Sequence, residues 1–440
     1  MSAISPVAPV SLPPTGAASR TRFMVLAGLC GAAVLAYTTR NALGVAESTV
    51  RADLALTKEQ TGWLMSLFFW PYALCQIPGA WLGQRLGARR ALPLFAVLWS
   101  LASAGLSIGS YGMMVVMRMF MGVSQAGLVP VCAGVLARWI PRTGQALASG
   151  SLSGFMSVGG VIAAPLTAWL IVTCGWRWAF ALYAIPGFLW AAWFHGSFRN
   201  QPAEHSRVNE AERQLIQQGT NAPIAGTDAA RVVPWRQILT SPAMGWICAQ
   251  QFFRAAGYIF FSTWFATYLQ EARGMKLVTS GLLVMLPLLA DVAGSLSGGA
   301  LSDAILRRTG SAKLARKGLS IVAMVVCALL TFSASFSHNV LVIVVIISAG
   351  TFCAAMGNPC SSATTMSMGG AHVATVMSMM NMSGNLGAAL FPLAVPWLLA
   401  ATGSWNAVLL GFSGLYVAAA VCWSLLKVEG TVMDQALAKA

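Results

Sequence analysis

Charged residues are scarce in this sequence. Only 9% of its 440 residues are Asp, Glu, Lys or Arg, whereas 57% are hydrophobic. A soluble globular domain carries about 25% charged residues and needs polar side chains to cover its surface. The apolar residues come in long runs, such as 23–39, 91–117 and 317–336, and about 20 apolar residues suffice to cross a hydrocarbon core. The composition therefore excludes a soluble protein and predicts an all-α membrane protein with many spanning helices.

The side chains that usually carry enzyme chemistry are also few. The four histidines fall at predicted helix ends or in loops, and the nine cysteines form no C-x-x-C pair. Because no nucleophile–base pair and no set of metal ligands stands out, we expect neither an enzyme nor a metal site nor a cofactor. The net charge of +15 is spread between apolar runs rather than over a soluble basic module, which argues against nucleic acid as a partner.

Hydropathy divides the chain into two groups of six predicted spans. The predicted spans cover residues 23–46, 60–83, 91–110, 112–136, 146–173, 176–195, 243–270, 278–302, 317–336, 338–362, 371–400 and 404–426. The corresponding domains are a disordered N-terminus (1–22), an N-terminal six-helix bundle (23–195), a linker with one short helix (196–242), a C-terminal six-helix bundle (243–427) and a tail (428–440).

The basic residues predict the orientation of these spans. With the N-terminus in the cytoplasm, nineteen of the 27 Lys and Arg residues fall in cytoplasmic segments, five on the opposite side and three within spans. This bias places both termini in the cytoplasm. Residues 79–84 (GAWLGQ) recur six spans later as 298–303 (GGALSD), and 160–165 recur as 387–392, which indicates a parallel repeat of two bundles. We expect a monomer that spans a bacterial inner membrane many times.

Four segments resemble the anion:cation symporter family of the major facilitator superfamily, which includes carriers of sugar acids and other organic anions. They are residues 66–90 (SLFFWPYALCQIPGAWLGQRLGARR), 118–130 (RMFMGVSQAGLVP), 202–212 (PAEHSRVNEAE) and 301–317 (LSDAILRRTGSAKLARK). They occur in the family's order, and the resemblance extends over nearly the whole chain. The resemblance implies the major facilitator fold and a transporter that moves anions by alternating access.

Four ionisable residues lie inside predicted spans: Arg40, Arg118, Arg254 and Asp291. An ionisable side chain at the centre of a span costs roughly 2.5–3.5 kcal/mol on insertion scales and is retained where it faces a cavity or a partner. Three positive charges against one negative charge favour an anion, and a guanidinium binds carboxylate or sulfonate oxygens in pairs. The alternative is that helix-end carbonyls or Asp291 satisfy each arginine.

The resemblance gives two of these residues a role and reveals a departure. Arg40 matches the arginine that holds the substrate's acid group, and Arg118 matches an arginine of the coupling network. Proton-coupled members place Asp before the first arginine and Glu in the fourth span, whereas this chain has Thr39 and Gln125, which do not titrate near neutral pH. The remaining candidates for a coupling site are Asp291, Glu47 and Gln125 itself. Asp291 could instead be a fixed counter-ion, and Glu47 is expected near the wet end of span 1.

Other polar residues are further candidates for substrate binding. Tyr72 and Gln76 lie four residues apart on one face of span 2, and Asn385 lies in span 11. Asn358 precedes Pro359, where we expect span 10 to be broken. The alternative for these side chains is hydrogen bonding between helices.

A gating latch is predicted in the loops that follow spans 2 and 8. The family has Asp-Arg in the first loop, whereas this chain has Gln84 and Arg85, and the acid is retained in the second half as Asp303. The loss of one acid predicts a weaker latch in the first half.

The function that these observations predict is secondary active uptake of a small organic anion, a carboxylate or a sulfonate such as sulfoacetate, with a proton or a counter-anion as a possible coupled partner. One alternative is anion exchange without proton coupling. Another is a membrane sensor that binds an anion without transporting it.

Overall fold

Every regular element of the described chain is a helix, in agreement with the all-α prediction. The computed structural model describes residues 17–219, 235–369 and 373–428. The first half contains α1 (Thr21–Asp53), α2 (Lys58–Ser66), α3 (Phe69–Leu74), α4 (Gln76–Leu86), α5 (Ala88–Leu106), α6 (Tyr111–Ala126), α7 (Leu128–Trp139), α8 (Arg142–Cys174), α9 (Trp176–Leu182) and α10 (Ala184–Ser197). A 3₁₀ turn (Pro202–Glu204), α11 (Glu210–Gly219) and α12 (Trp235–Thr240) follow.

The second half is built from fewer and longer helices. It contains α13 (Pro242–Thr263), α14 (Phe265–Glu271), α15 (Leu277–Thr309), a π-helical segment (Lys313–Gly318), α16 (Leu319–Ala334), α17 (Val340–Gly369), α18 (Val373–Thr402) and α19 (Trp405–Leu425). Among the described residues, eight helices are long and apolar enough to cross a membrane. The predicted spans 60–83, 91–110, 176–195 and 243–270 are not among these eight helices.

Several predicted spans are segmented rather than continuous, and proline explains most of the breaks. Proline lacks an N–H and its ring clashes with the carbonyl four residues earlier, so a helix tends to end there. Four prolines lie four residues after such a break. Pro71 follows the break between α2 and α3, and Pro78 follows the end of α3. Pro130 follows the end of α6, and Pro186 follows the end of α9.

The expected break at Pro359 is wrong. The α17 helix runs without interruption from Val340 to Gly369, with Pro359 inside it. The nearby Ser361 hydroxyl donates to the Gly357 carbonyl at 3.0 Å, within the same helix. A proline in a long buried helix is tolerated where neighbouring helices and hydroxyl side chains compensate for the missing hydrogen bond.

The linker is fastened to the start of α1. Glu212 on α11 is fully buried, and it accepts hydrogen bonds from the backbone N–H groups of Thr21 at 3.2 Å and Arg22 at 3.1 Å. It also forms an ion pair with the Arg22 guanidinium at 3.0 Å and accepts a hydrogen bond from the Ser19 hydroxyl. The first N–H groups of a helix lack intrahelical partners, and a carboxylate there stabilises the helix. We call this side of the molecule the linker end and the opposite side the far end.

The linker's histidine also docks on the N-terminal half. The imidazole Nε2 of His205 donates to the Ser197 carbonyl at 3.0 Å, and its ring stands edge-on to Trp139 with centroids 5.7 Å apart. Burial lowers the pKa of His205 below its ordinary value, because a buried imidazole is easier to keep neutral than charged. The uncharged ring therefore packs against the bundle at neutral pH.

The two halves meet mainly at the far end. The α8 helix packs against α15, α2 and α3 pack against α18, and α1 packs against α13 and α14. Glycines allow close crossings here, because a Cβ at Gly44 would overlap the Ser262 carbonyl and one at Gly62 would lie 2.8 Å from the Pro392 carbonyl oxygen. The interface of α2 and α3 with α18 also contains a hydrogen bond of 2.6 Å from Ser66 to the Ala389 carbonyl. The structure is therefore closed at the far end.

Three predicted features fall partly or wholly outside the described residues. Residues 1–16 and 429–440, which hold most of the predicted disordered N-terminus and the tail, are outside, and so is the middle of the linker, 220–234. The α1 helix begins at Thr21, two residues inside the segment that was predicted to be disordered. The Gln84 side chain, a predicted latch group, also lies outside the described part.

Candidate functional site

Arg40 lies in the middle of α1 within a cage of aromatic rings. Its side chain is only 9% exposed. The guanidinium carbon is 4.2 Å from the ring centre of Phe68, 4.3 Å from Tyr72, 4.8 Å from Tyr37 and 5.4 Å from Phe69. Cation–π contacts at these distances stabilise a buried positive charge without neutralising it. The cage therefore holds the guanidinium without an ion-pair partner among the described residues.

One edge of the Arg40 guanidinium has no partner among the described residues. Its Nε and Nη2 atoms are both buried and donate no hydrogen bond there. These two nitrogens form the edge that holds a carboxylate through two parallel hydrogen bonds. An unpaired buried donor costs about 1–3 kcal/mol, so the arrangement is one that a bound anion would stabilise.

Arg118 has a different environment, although it is equally buried. Its Nε donates to the Leu64 carbonyl at 2.9 Å and its Nη1 donates to the Arg40 carbonyl at 3.3 Å. The break between α2 and α3 begins after Ser66, near Leu64. The Arg118 guanidinium carbon also lies 5.1 Å from the Phe68 ring centre. Arg118 therefore ties α6 to α1 and α2, and holds the backbone that carries Arg40.

Thr39 and Gln125, which replace the family's two acids, contact each other. The Gln125 Nε2 atom donates to the Thr39 hydroxyl at 3.2 Å and to the Ala36 carbonyl at 3.1 Å. Thr39 in turn donates to the Ala36 carbonyl at 2.9 Å. Both side chains are buried. The place where proton-coupled members of the family have two carboxylates is therefore a small neutral network in this chain.

The C-terminal half contributes Arg254 on α13 and Asp291 on α15. The Arg254 Nε atom donates to Gln251 Oε1 at 3.3 Å. Asp291 is 8% exposed, and among the described residues neither side chain takes part in an ion pair. The alternative that Asp291 is a fixed counter-ion of Arg254 or Arg118 therefore has no direct contact to support it, although Arg254 and Asp291 still interact electrostatically.

The structure brings together only some of the polar side chains that were predicted to bind substrate in spans 2, 10 and 11. The Asn381 amide donates to Gln76 Oε1 at 3.4 Å, a long contact between α18 and α4, and Asn385 donates to the Asn381 carbonyl at 3.0 Å. Tyr72 is buried beside Arg40, whereas Gln76 begins the next helix after the break at Cys75. Asn358 is partly buried within the unbroken α17.

Glu47 is buried, and the expectation that it lies at the wet end of span 1 is wrong. Its side chain accepts hydrogen bonds from Arg51 at 2.8 Å, Thr61 at 2.9 Å and Thr267 at 2.6 Å. Thr267 belongs to the opposite half. Glu271, also in the opposite half, pairs with Arg51. Since α1 continues to Asp53, Glu47 lies inside the far-end interface rather than at its surface.

The two predicted latch side chains that the structure describes, Arg85 and Asp303, form no ion pair with each other. Arg85 and Asp303 are exposed, and the Arg85 guanidinium stacks at 4.2 Å over Trp81 of its own helix. Among the described residues neither takes part in an ion pair. The latch stays a prediction.

Neither the aromatic cage nor the far-end cluster of Glu47, Arg51 and Glu271 was predicted from the sequence. Phe68 and Tyr72 are four residues apart, which is one helical turn, but an aromatic residue in a predicted span is usually core or lipid-facing. Arg51 and Glu271 are separated by 220 residues, so no local spacing could have paired them. The internal repeat was the one signal that could bring such segments together.

Comparisons with known proteins agree with this architecture. A sequence model described as Major Facilitator Superfamily matches residues 29–368. The protein named "Probable sulfoacetate transporter SauU" of Cupriavidus necator is 29% identical over 388 residues, which are 88% of this chain and 89% of that protein. The "Probable galactarate/D-glucarate transporter GudP" of Bacillus subtilis is 28% identical over 431 residues, 94% of each chain.

Solved structures show the same fold at low sequence identity. An inward-facing, unoccupied bacterial homologue of the human lysosomal transporter Spinster superposes with a TM-score of 0.73 and 18% identity, covering 92% of this chain and 95% of that one. A D-xylose–proton symporter superposes with a TM-score of 0.68 and 16% identity, covering 92% and 98%.

Proposed function

The chain belongs to the Major Facilitator Superfamily, and on this premise we propose that it takes up a small organic anion across a bacterial inner membrane by secondary active transport. It is a membrane transporter and not an enzyme. In this proposal the chain spans the membrane twelve times, with both termini in the cytoplasm, and the cargo is a carboxylate or a sulfonate. Sulfoacetate and sugar acids, the substrates in the names of its relatives, are the first compounds to test.

The open edge of Arg40 is the observation that carries this proposal. Within the described ranges this buried guanidinium has two unpaired nitrogens and forms no ion pair, so it selects an anion through charge and through a planar pair of hydrogen bonds. The aromatic cage keeps water away from the rest of the guanidinium, which strengthens its attraction to an anion. Arg118 supports the site by fixing the backbone at Arg40.

Alternating access follows from the arrangement of the two bundles. The far end is closed by glycine crossings and by the cluster of Glu47, Arg51 and Glu271, which joins the two halves. When the bundles rock, these contacts break and the site becomes accessible from the far end. The linker end, where the two bundles are joined by 198–241, then closes.

Anion exchange is a second candidate, favoured by the neutral pair of Thr39 and Gln125. Because Thr39 and Gln125 stand where carboxylates would, neither position beside Arg40 can bind a proton near neutral pH. Counterflow in proteoliposomes separates the two mechanisms. If an uncoupler alone abolishes concentrative uptake, exchange is excluded. Exchange is supported if uptake depends only on a trapped counter-anion.

A thermal-shift panel of organic anions on the purified protein tests the anion site. We expect at least one compound among sulfoacetate, galactarate and galactonate to raise the unfolding temperature of the native protein and to lose this effect in Arg40→Ala. Arg213→Ala is the matched control, because Arg213 lies on the linker helix and pairs with Glu210 at 3.2 Å. A stabilising anion that still acts on Arg40→Ala would refute the site. Binding without flux in proteoliposomes would identify a sensor.

A further inference from the structure

An apolar groove lies between α1 and α8, in the part of both helices that is nearest the linker end. Its volume is about 580 Å³, and Ser151 is the only one of its lining residues with a hydroxyl or a charge. Phe23 on α1 is 51% exposed and Phe155 on α8 is 45% exposed. Both helices are long and apolar enough to cross a membrane. An open apolar surface of this kind marks a site that binds another apolar group.

The groove has a defined length. It begins at Phe23 and closes where α8 touches α1, because a Cβ at Gly159 would lie 2.5 Å from the Val34 carbonyl oxygen. The Thr38 hydroxyl, which donates to the Gly159 carbonyl at 3.1 Å, holds this closure. Phe23 and Val34 are eleven residues apart, or about 16 Å along the helix at 1.5 Å per residue. A hydrocarbon core of about 30 Å has leaflets about 15 Å deep, so the groove matches the depth of one leaflet.

Small residues form the floor of the groove. Ala27 and Gly31 lie on the same face of α1 as Phe23 and Val34, because these residues follow one another at intervals of three or four. A Cβ at Gly31 would lie 3.6 Å from the Trp190 ring, so α10 borders the groove there. A floor without large side chains leaves room for a flexible hydrocarbon chain along α1.

Arginines surround the open end of the groove. Arg22, whose guanidinium carbon lies 4.6 Å from the Phe23 ring centre, already pairs with the linker. Arg20 immediately precedes the first turn of α1, and the Arg207 Nη1 atom lies 3.9 Å from the Met24 sulfur. Arg20 and Arg207 are exposed, and within the described ranges neither takes part in an ion pair. Basic residues beside a pocket between spanning helices bind anionic lipid headgroups.

We propose that this groove binds one anionic phospholipid, with an acyl chain between α1 and α8 and its phosphate beside Arg20 and Arg207. The planar fork of arginine suits a phosphate, because two N–H groups meet two oxygens. The lipid belongs to the leaflet at the linker end, which is the cytoplasmic leaflet in the proposed function. The site is independent of the cargo, since none of the residues proposed to bind the cargo lines the groove.

A photoactivatable lipid tests the site on the full-length protein. The probe is phosphatidylglycerol with a diazirine midway along one acyl chain, mixed into phosphatidylcholine vesicles that contain the protein. After irradiation, mass spectrometry of peptides should find the adducts mainly within residues 23–35 and 151–155. An excess of unlabelled phosphatidylglycerol should suppress these adducts, and the same excess of phosphatidylcholine should leave them.

Substitutions at the open end test the headgroup contact. Arg20→Gln and Arg207→Gln should each weaken competition by phosphatidylglycerol about fivefold, because one basic residue near the membrane surface contributes about that factor to the binding of an anionic lipid. Arg308→Gln is the matched control, since Arg308 is an exposed arginine at the end of α15 in the other half. This control should bind phosphatidylglycerol as the native protein does.

A substitution in the floor tests the acyl-chain contact. Ala27→Phe should fill the groove and remove the adducts, and the fold should tolerate it because Ala27 is exposed. Ala400→Phe adds the same bulk at an exposed position of α18 and should leave the adducts unchanged. Thermal unfolding in phosphatidylcholine checks that each variant is folded.

Three results would overturn the inference. They are adducts spread evenly over the spanning helices, equal competition by both lipids, and native adduct yield in Ala27→Phe or in the variant that lacks both Arg20 and Arg207. Each would mean that lipids touch this groove only as they touch the rest of the membrane-facing surface.

Discussion

Arg40 and Arg118 are buried to a similar extent on helices that touch, yet their hydrogen bonds differ completely. The Arg118 guanidinium donates to two backbone carbonyls, whereas the Nε and Nη2 atoms of Arg40 have no partner in the described part of the chain. A buried donor that is paired contributes to the stability of the fold, and a buried donor that is unpaired is available to a ligand. In the proposed function, Arg118 is therefore the structural arginine and Arg40 the binding arginine.

Lysine substitutions separate these two roles. Arg118→Lys should lower the free energy of unfolding by about 1–3 kcal/mol, because one ammonium cannot reproduce the fork that reaches the Leu64 and Arg40 carbonyls. Arg40→Lys should leave thermal stability nearly unchanged in the absence of ligand and should weaken anion binding. Thermal unfolding with and without the best anion of the panel measures both effects. Equal losses of stability in the two variants would contradict this division of roles.

The sequence predicted the charges of the site better than their surroundings. Arg40, Arg254 and Asp291 could be recognised because ionisable residues are rare in apolar spans. The hydrogen bond between Gln125 and Thr39 joins residues 86 positions apart, and the ring of Phe68 reaches Arg40 from another helix. Neither contact has a local spacing that periodicity could detect.

At the scale of helices, proline position decides where several spans are interrupted, but proline alone is not sufficient. Pro71, Pro78 and Pro130 follow breaks, whereas Pro287 and Pro359 lie within continuous helices. The α13 and α14 helices are separated at Trp264 without a proline. Since tertiary packing decides which prolines a helix tolerates, the segmentation could be predicted only in part.

The docking of α11 on α1 gives a second testable contact. Glu212→Gln should loosen the linker, because a neutral amide weakens the ion pair with Arg22 and leaves the first N–H groups of α1 with a poorer acceptor. Limited proteolysis should then cut the linker faster than in the native protein. Glu210→Gln is the matched control, since Glu210 is 60% exposed and pairs only with Arg213. If both variants are cut at the same rate, the docking contact is unimportant.

At the scale of the whole molecule, the internal repeat predicted two bundles, but it did not predict which end is closed. That state depends on side chains that meet across the interface, such as Ser48 with Gln270 at 2.5 Å and Lys58 with Glu271 at 2.6 Å. Such contacts have no period along the chain. They also break and form during alternating access, so a sequence that serves two states does not specify one of them.

Substitution of Gly44, where α1 crosses α13, should shift the balance between the closed and the open far end. A Cβ at Gly44 overlaps the Ser262 carbonyl, so Gly44→Ala should destabilise the closed far end. A reporter cysteine at Ser48 in a cysteine-free background should then react several times faster with a polar thiol reagent. Gly414→Ala serves as the control, because a Cβ there meets nothing within 4 Å. An unchanged reaction rate in Gly44→Ala would mean that this crossing does not limit opening.

The most direct test of the account is an experimental structure of the protein with the best-binding anion of the panel. We predict that two oxygens of one acidic group lie about 2.7–2.9 Å from the Nε and Nη2 atoms of Arg40, as in charge-assisted pairs, within the cage of Tyr37, Phe68, Phe69 and Tyr72. An anion bound elsewhere, with this edge of Arg40 still unpaired, would contradict the account.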